Sequence, residues 1–133
     1  MRACKTQCKE CPFRRTSLRG WLGGYGSFAD ARVGVQNIFG ELWHGQPFFC
    51  HTRTDYSRSD WLDRALTSGE LCLGALLARN DWGMPRAKDP VIARAERDAV
   101  TQRAAEPDSF DVLPLAEWKA HHESGLDSRA GGP

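Results

Sequence analysis

The number and spacing of the cysteines restrict the fold of this chain more than any other feature. Five are present in 133 residues: Cys4, Cys8, Cys11, Cys50 and Cys72. An odd number fits poorly with a framework of paired disulfides. No apolar run follows Met1 and no stretch is apolar enough to span a membrane, so we expect a cytoplasmic protein. Thiols stay reduced in that compartment, which favours metal binding over disulfides.

Cys8 and Cys11 are separated by two residues, a spacing that lets two thiolates from one turn bind the same ion. In such a turn the backbone N–H groups can also donate hydrogen bonds to the sulfurs. Redox dithiols share the C-x-x-C spacing, but they normally open a helix that follows a strand. No strand pattern precedes Cys8, and Pro12 follows Cys11 directly. The pair is therefore more typical of a metal site than of a redox centre.

Cys50 and Cys72 lie far from the first pair and from each other, unlike the compact second pair of a zinc ribbon. They are candidates for two further ligands. The alternative is that both are small buried apolar residues, as free cysteines often are. Two other residues compete as ligands. His51 follows Cys50, and because neighbours in an extended segment point to opposite sides, only one of them would reach the ion. Cys4 is within reach as a spare thiol.

Several short motifs give the chain a resemblance to a known family. In order, they are the segment from Cys8 to Arg15 (CKECPFRR), Gly20 to Gly23, Cys50-His51, Cys72 to Ala75 (CLGA), Asn80, Pro85-Arg86, and a closing segment from Phe110 to His121, His122 and Glu123. Over residues 8 to 123 the chain resembles small, uncharacterised cysteine-rich proteins of bacteriophages and bacteria, with the pattern C-x-x-C-P-[FW]-R, C-H and C-x-G. The resemblance implies that Cys8, Cys11, Cys50 and Cys72 act together. It also implies a phage-encoded protein in the cytoplasm of the bacterial host cell, but it supplies no function.

Four thiolates suit a tetrahedral zinc ion or an iron–sulfur cluster. Zinc is the expected cofactor and a 4Fe–4S cluster is the alternative, because soft thiolates bind both. Four protein sulfurs leave no position for water on zinc, so the site would be structural. The signatures of zinc deaminases, metalloproteases, nucleotide-binding loops and serine hydrolases are missing from the sequence. We therefore assign no catalytic residue and expect a binding protein, with an iron–sulfur redox or enzyme component as the alternative.

Apolar spacing and capping residues predict a small, mainly α-helical single domain over residues 1–123, followed by a disordered Gly-rich tail over 124–133. The predicted helices run from Ser27 to Gly40, over 60–67 with Ser59 as cap and Gly69 as stop, from Leu71 to Arg79, from Asp89 and Pro90 to near Pro107, and from Pro114 through His122. Residues 47–51 are predicted to be extended. The irregular segments 4–26 and 40–57 have little apolar periodicity to offset their chain entropy, so we expect the metal to organise them.

Basic residues are concentrated at the N-terminal end of the chain. Residues 1–26 contain six basic side chains against Glu10 alone, which gives +5, whereas the whole chain carries +1 and the remainder therefore −4. A basic lobe of this kind can bind nucleic acid or an acidic surface of a host protein. We predict that Arg15 and Arg19 make those contacts. Arg14 belongs to the shared motif, so we predict a structural role for it instead, either in hydrogen bonds to carbonyls around the metal loop or in a pair with an Asp or Glu of the acidic remainder.

Overall fold

The computed structural model describes residues 1–22 and 30–124 of the chain. In that part it has two short strands and five α-helices: β1 Arg2–Ala3, β2 Glu70–Leu71, α1 Ala31–Trp43, α2 Trp61–Ser68, α3 Leu73–Asp81, α4 Pro90–Ala105 and α5 Leu115–Glu123. The predicted mainly helical single domain is confirmed. No helix within the described ranges has the length and apolar character needed to cross a membrane. The predicted tail, apart from Ser124, lies outside the described residues.

Local capping signals fix several of the helix ends. Asp89 accepts a hydrogen bond from the Val91 N–H at 2.8 Å and Pro90 occupies the first helical position, so α4 begins as predicted. Gly69 ends α2, also as predicted. The predicted cap at Ser59 was wrong by one position, because Asp60 precedes the first helical residue.

Helix α1 differs from its prediction at both ends. The predicted cap, Ser27, lies outside the described residues, and within them Asp30 caps the helix by accepting the Arg32 N–H at 2.9 Å. The predicted stop at Gly40 was wrong, since α1 continues to Trp43. Burying Leu42 in the last turn gains about 2 kcal/mol. That gain exceeds the cost of about 1 kcal/mol for a glycine inside a helix.

Strand β2 replaces the predicted first turn of α3. It pairs in parallel with β1, and on its other side Leu71 forms an antiparallel bridge with Phe49, so the segment around Phe49 is extended as predicted. A short 3₁₀ turn over His51–Arg53 then ends the extended run. The helix begins only after Cys72, which is its N-cap. Cys72 therefore lies at the point where a strand turns into a helix.

Helix α3 is the centre of the core. Every residue from Leu73 to Arg79 is buried. On one side Leu77 belongs to a cluster with Ile92 of α4, and on the other Ala78 belongs to a second cluster with Trp118 of α5. The core thus consists of two apolar clusters that share α3 as a common wall.

Candidate metal centre

Three extended segments bring Cys4, Cys50 and Cys72 side by side. The Cys4 N–H donates to the Leu71 carbonyl at 2.9 Å on one side of β2, and the Cys50 N–H donates to the Glu70 carbonyl at 2.8 Å on the other. Cys72 follows β2 directly. Backbone pairing therefore gathers three cysteines that are far apart in the sequence.

The turn from Cys8 to Cys11 brings a fourth and a fifth sulfur to the same region. The Cys11 N–H donates to the Cys8 carbonyl at 3.2 Å. The guanidinium of Arg14 binds the outside of this turn, donating to the Cys8 carbonyl at 2.8 Å and to the Gln7 carbonyl at 3.1 Å. Arg14 thus has the carbonyl contacts that were one of the two structural roles predicted for it.

Cys11 and Cys72 form a close sulfur pair. Their Sγ atoms lie 3.7 Å apart, and both side chains are buried. This approach depends on Gly74, because a Cβ at that position would collide with the Cys11 sulfur. The glycine of the C-x-G motif is therefore what lets the first turn of α3 lie against the C-x-x-C loop.

Cys4, Cys8 and Cys50 form the second sulfur group. A hydrogen bond from the Cys4 thiol, together with donors on Thr52, lowers the pKa of Cys50 to about 5. The same bond, along with burial, raises the pKa of Cys4. Burial and the charges of Cys11 and Cys50 raise the pKa of Cys8 to about 11. Cys8 thus interacts with both sulfur groups and connects them.

The protonation of the buried pair follows the same logic. A hydrogen bond from Cys72, with a further contribution from Gln7, lowers the pKa of Cys11. That bond and complete burial raise the pKa of Cys72. Cys11 and Cys50 are therefore the sulfurs that lose a proton most easily, and each has a protonated cysteine beside it. A metal ion in place of these protons would let the neighbouring sulfurs be thiolates at the same time, because its positive charge offsets their mutual repulsion.

Backbone N–H donors distinguish four of the cysteines from the fifth. The four donor and sulfur pairs are Glu10 with Cys8, Phe13 with Cys11, Thr52 with Cys50 and Ala75 with Cys72, and each bond lowers the pKa of its thiol. The main influences on Cys4 come from Cys50, burial, Glu70 and Cys8, and all of them raise its pKa. Hydrogen bonds of this kind orient metal-bound sulfurs and stabilise their charge.

His51 points to different neighbours from Cys50. Its ring packs edge-on against Trp21, with centroids 4.5 Å apart, and its Nε2 lies 3.6 Å from a carboxylate oxygen of Glu10. Cys50 is buried and directed at the other sulfurs. Of the two adjacent candidates, Cys50 is the one that joins the cysteine group.

The sulfurs lie near one another, but they do not surround a single position at which a metal ion could bind. Within residues 1–22 and 30–124, no group of three or more His, Cys, Asp or Glu side chains is arranged to hold a metal ion. Four sulfurs on one zinc ion lie about 3.8 Å from each other, given a Zn–S bond of about 2.3 Å and tetrahedral angles. The Cys11 to Cys72 distance of 3.7 Å already matches that edge. The space left by Gly74 allows this one approach, and the four-sulfur metal site stays a prediction.

Two histidines of α5 contact the irregular segment over residues 8–22, which is called the cysteine loop below. The sequence analysis did not assign this role. His122 is fully buried, accepts the Leu22 N–H at its Nδ1 at 3.2 Å and lies with Nε2 2.7 Å from the Pro12 carbonyl. His121 lies with Nε2 3.0 Å from the Ser17 carbonyl. Sequence spacing gives no sign of these bonds, because they join residues 100 or more positions apart.

Gln7 is a second residue that the sequence analysis missed. Its buried amide donates to the Asp111 carbonyl at 2.7 Å and accepts the Asp111 N–H at 2.8 Å, as a strand neighbour would. The same amide also helps to lower the pKa of Cys11. Gln7 therefore links the cysteine loop to the segment that precedes α5.

The two arginines predicted to bind a partner both make contacts within the chain. The Nε of Arg15 lies 3.1 Å from Asp111, although more than half of its side chain is exposed. Arg19 donates to the Ser124 hydroxyl at 3.0 Å. Neither residue is buried, and both lie on the surface of the cysteine loop.

No protein-family profile matches the chain, and comparison with curated proteins and with solved structures gives no significant match. The resemblance to cysteine-rich phage and bacterial proteins therefore stays a prediction.

Proposed function

We propose that this protein is a binding module whose fold is completed by a structural zinc ion held by Cys8, Cys11, Cys50 and Cys72. The observation that carries the proposal is the close approach of two of these sulfurs, those of Cys11 and Cys72, which lie 3.7 Å apart because Gly74 leaves room for the Cys11 sulfur. Two ligands of one tetrahedral zinc ion have this separation.

Zinc is favoured over an iron–sulfur cluster by the distance between two of the sulfurs. Cys11 and Cys72 are 3.7 Å apart, the separation of two ligands of the same tetrahedral ion. In a 4Fe–4S cluster each cysteine binds a different iron, so the sulfurs lie further apart. A zinc ion with four sulfur ligands has no open position, which favours a structural and binding role over catalysis.

The partner in this proposal is a nucleic acid or an acidic surface of a host protein in the bacterial cytoplasm. The metal would hold rigid the loop that carries Arg15 and Arg19. Arginines held in place lose less entropy on contact with phosphate or carboxylate groups. An acidic partner would have to compete with Asp111 for Arg15, which the exposure of that side chain permits.

Metal content and cysteine variants test this proposal. Protein purified without oxygen should contain about one zinc per chain, as expected for a single four-sulfur site. Cys8→Ser should weaken zinc affinity at least about tenfold, measured by competition with a chromogenic chelator. Cys4→Ser is the matched control and should bind zinc like the wild type.

Each contrary result has a distinct meaning. Equal loss of affinity in Cys4→Ser and Cys8→Ser would make Cys4 a ligand and overturn the proposed set. A brown protein that contains iron and sulfide would replace zinc by the iron–sulfur alternative. Protein without stoichiometric zinc or iron would remove the metal centre altogether.

A further inference from the structure

A cleft lined by arginines lies between residues 53–58 and α2. Its volume is about 320 Å³, within the range of about 300–1,000 Å³ that is typical of small-ligand sites. Three arginines line it, Arg53, Arg58 and Arg64, against a single acidic side chain, Asp55. None of these residues belongs to the N-terminal lobe considered above.

The arginines keep much of their hydrogen-bonding capacity. Arg58 donates to Asp60 at 3.0 Å, whereas Arg64 approaches Asp60 only to 3.9 Å and Arg53 approaches Glu70 only to 3.8 Å. Between 49% and 68% of each arginine side chain is exposed. A guanidinium has five N–H donors, so most of these donors face solvent. They suit an anion that accepts several charge-assisted bonds at once, as phosphate does.

Asp55 contributes a negative charge to this cleft. Its carboxylate accepts the backbone N–H of Ser57 at 3.1 Å and the hydroxyl of the same residue, and the charges of two of the arginines also help to lower its pKa. Together with Asp60 and Glu70, which approach the arginines, it balances their three positive charges. An anion would therefore be bound through the exposed N–H donors of the arginines rather than through a net positive charge.

An aromatic side chain completes the lining. Trp61, at the start of α2, lies in the cleft half-buried, and the ring of Tyr56 packs against it with centroids 4.8 Å apart. Indole is a surface on which nucleobases stack, and such stacking works for every base. An acidic peptide would use the arginines but would gain nothing specific from the indole.

The cleft is attached to the cysteine group through the backbone. The Arg53 N–H and the Thr54 hydroxyl both donate to the Cys50 carbonyl, at 3.1 Å and 2.8 Å. The wall that carries Arg53 therefore depends on how Cys50 is held. The shape of the cleft does not depend on which metal ion the cysteines bind.

We propose that this cleft binds a nucleotide unit, with the phosphate held by Arg53, Arg58 and Arg64 and the base stacked on Trp61. The source of the unit is either single-stranded nucleic acid or a free nucleotide, which present the same chemistry. This site goes beyond the proposed function because its contacts come from other residues than Arg15 and Arg19 of the N-terminal lobe.

Binding to three probes tests the site and separates its two sources. The probes are a labelled mixed-sequence DNA oligonucleotide, followed by anisotropy, and AMP and inorganic phosphate, followed by calorimetry. The oligonucleotide alone should bind tightly if the source is single-stranded nucleic acid, and AMP should bind as well as the oligonucleotide if the source is a free nucleotide. Polyglutamate serves as an acidic competitor and should displace the bound probe less effectively than unlabelled oligonucleotide or AMP does, because it can contact the arginines but cannot stack on Trp61.

A pair of matched arginine variants shows whether the cleft is responsible. Arg64→Gln should weaken binding about tenfold or more, as expected when a charged hydrogen bond is lost, and should reduce the salt slope by about one. Arg94→Gln is the control, because Arg94 is also an exposed helical arginine with an acidic partner four positions away, Asp98, at 4.0 Å. It should bind like the wild type.

The aromatic contact has its own readout. Trp61→Leu should weaken binding of the oligonucleotide or AMP by about fivefold or more, without changing the weak binding of inorganic phosphate. Equal losses in Arg64→Gln and Arg94→Gln, displacement by polyglutamate as effective as by unlabelled oligonucleotide or AMP, loss of binding only in Arg15→Gln or Arg19→Gln, or no binding of any probe would each overturn the proposal. Zinc content, measured on the same samples, keeps such a failure separate from a failure of the metal centre.

Discussion

At the scale of single residues, the buried His122 forms hydrogen bonds through both of its ring nitrogens. Its Nδ1 accepts the Leu22 N–H, so the proton of the neutral ring must be on Nε2, which donates to the Pro12 carbonyl. A second proton would bring Nδ1–H against the Leu22 N–H. Burial and, to a smaller extent, the charge of the neighbouring His121 lower the pKa of His122 to about 4.

We predict that His122 makes the stability of the protein fall in mild acid. The unfolded chain binds a proton near pH 6.5 and the folded chain only near pH 4, so the unfolded state gains as pH falls through that window. The loss reaches about 3 kcal/mol once both states are protonated. Urea unfolding at several pH values should show it as a falling midpoint.

Comparison of two variants isolates this effect from acid-driven loss of metal. His122→Gln keeps a donor for the Pro12 carbonyl but does not titrate, so its stability should fall less steeply between pH 6.5 and 5 than that of the wild type. His44→Gln changes an exposed histidine and should follow the wild-type profile. Parallel profiles for the wild type and His122→Gln would show that His122 does not titrate with folding.

At the scale of elements, a buried ion pair joins α3 to α4. The side chain of Arg79 is 2% exposed, its Nε lies 3.2 Å from a Glu96 carboxylate oxygen, and another nitrogen donates to the Pro85 carbonyl. Replacing one member of such a pair leaves a desolvated charge behind, which costs more than the pair itself contributes.

We predict that Arg79→Met lowers the free energy of unfolding by about 3–5 kcal/mol, because the Glu96 carboxylate loses its partner. Adding Glu96→Gln should recover part of that loss, leaving the cost of the unpaired Pro85 carbonyl. Chemical unfolding of the single and double variants measures both values.

A second ion pair between the same two helices serves as the control. Arg103 donates to Asp81 at 2.7 Å, but about a quarter or more of each side chain is exposed. Arg103→Gln should therefore cost about 1 kcal/mol or less. Equal costs for the two pairs would mean that burial does not set their contribution.

At the scale of the whole molecule, the cysteines lie where the two apolar clusters meet. Cys4 and Cys50 belong to the cluster on the α4 side of α3, and Cys11 and Cys72 belong to the cluster on the side of α1 and α5. Cys8 packs against both. A metal bound there would join two halves of the core that otherwise share only α3 and a few side chains.

We predict that metal removal loosens the α1 and α5 side first. That cluster takes Cys11, Phe13 and Leu22 from the irregular cysteine loop, and the Phe13 ring stacks on Trp118 with centroids 5.7 Å apart. The other cluster keeps the packing of α3 on α4, two regular helices. Hydrogen exchange after chelation should therefore rise more in α1 and α5 than in α4.

Restoring zinc to the chelated protein should return the exchange of α1 and α5 to its original rate. A uniform increase across all five described helices would instead show that the clusters unfold as one unit.

The sequence by itself determined the features that depend on neighbouring residues. Asp89 with Pro90 began α4, Gly69 ended α2, Pro114 preceded α5, and the C-x-x-C spacing with Arg14 defined a closed turn. Caps and tight turns act over a few residues, so their signals are complete in a short segment.

Only the tertiary structure decided which distant residues meet. Pairing of β1 with β2 brings Cys4 to the other sulfurs, and the approach of Cys11 to Cys72 crosses 61 positions. The burial of His122 and the continuation of α1 through Gly40 likewise follow from contacts that form when the helices pack. Such contacts depend on surfaces that exist only in the assembled core, and for that reason no local sequence pattern predicts them.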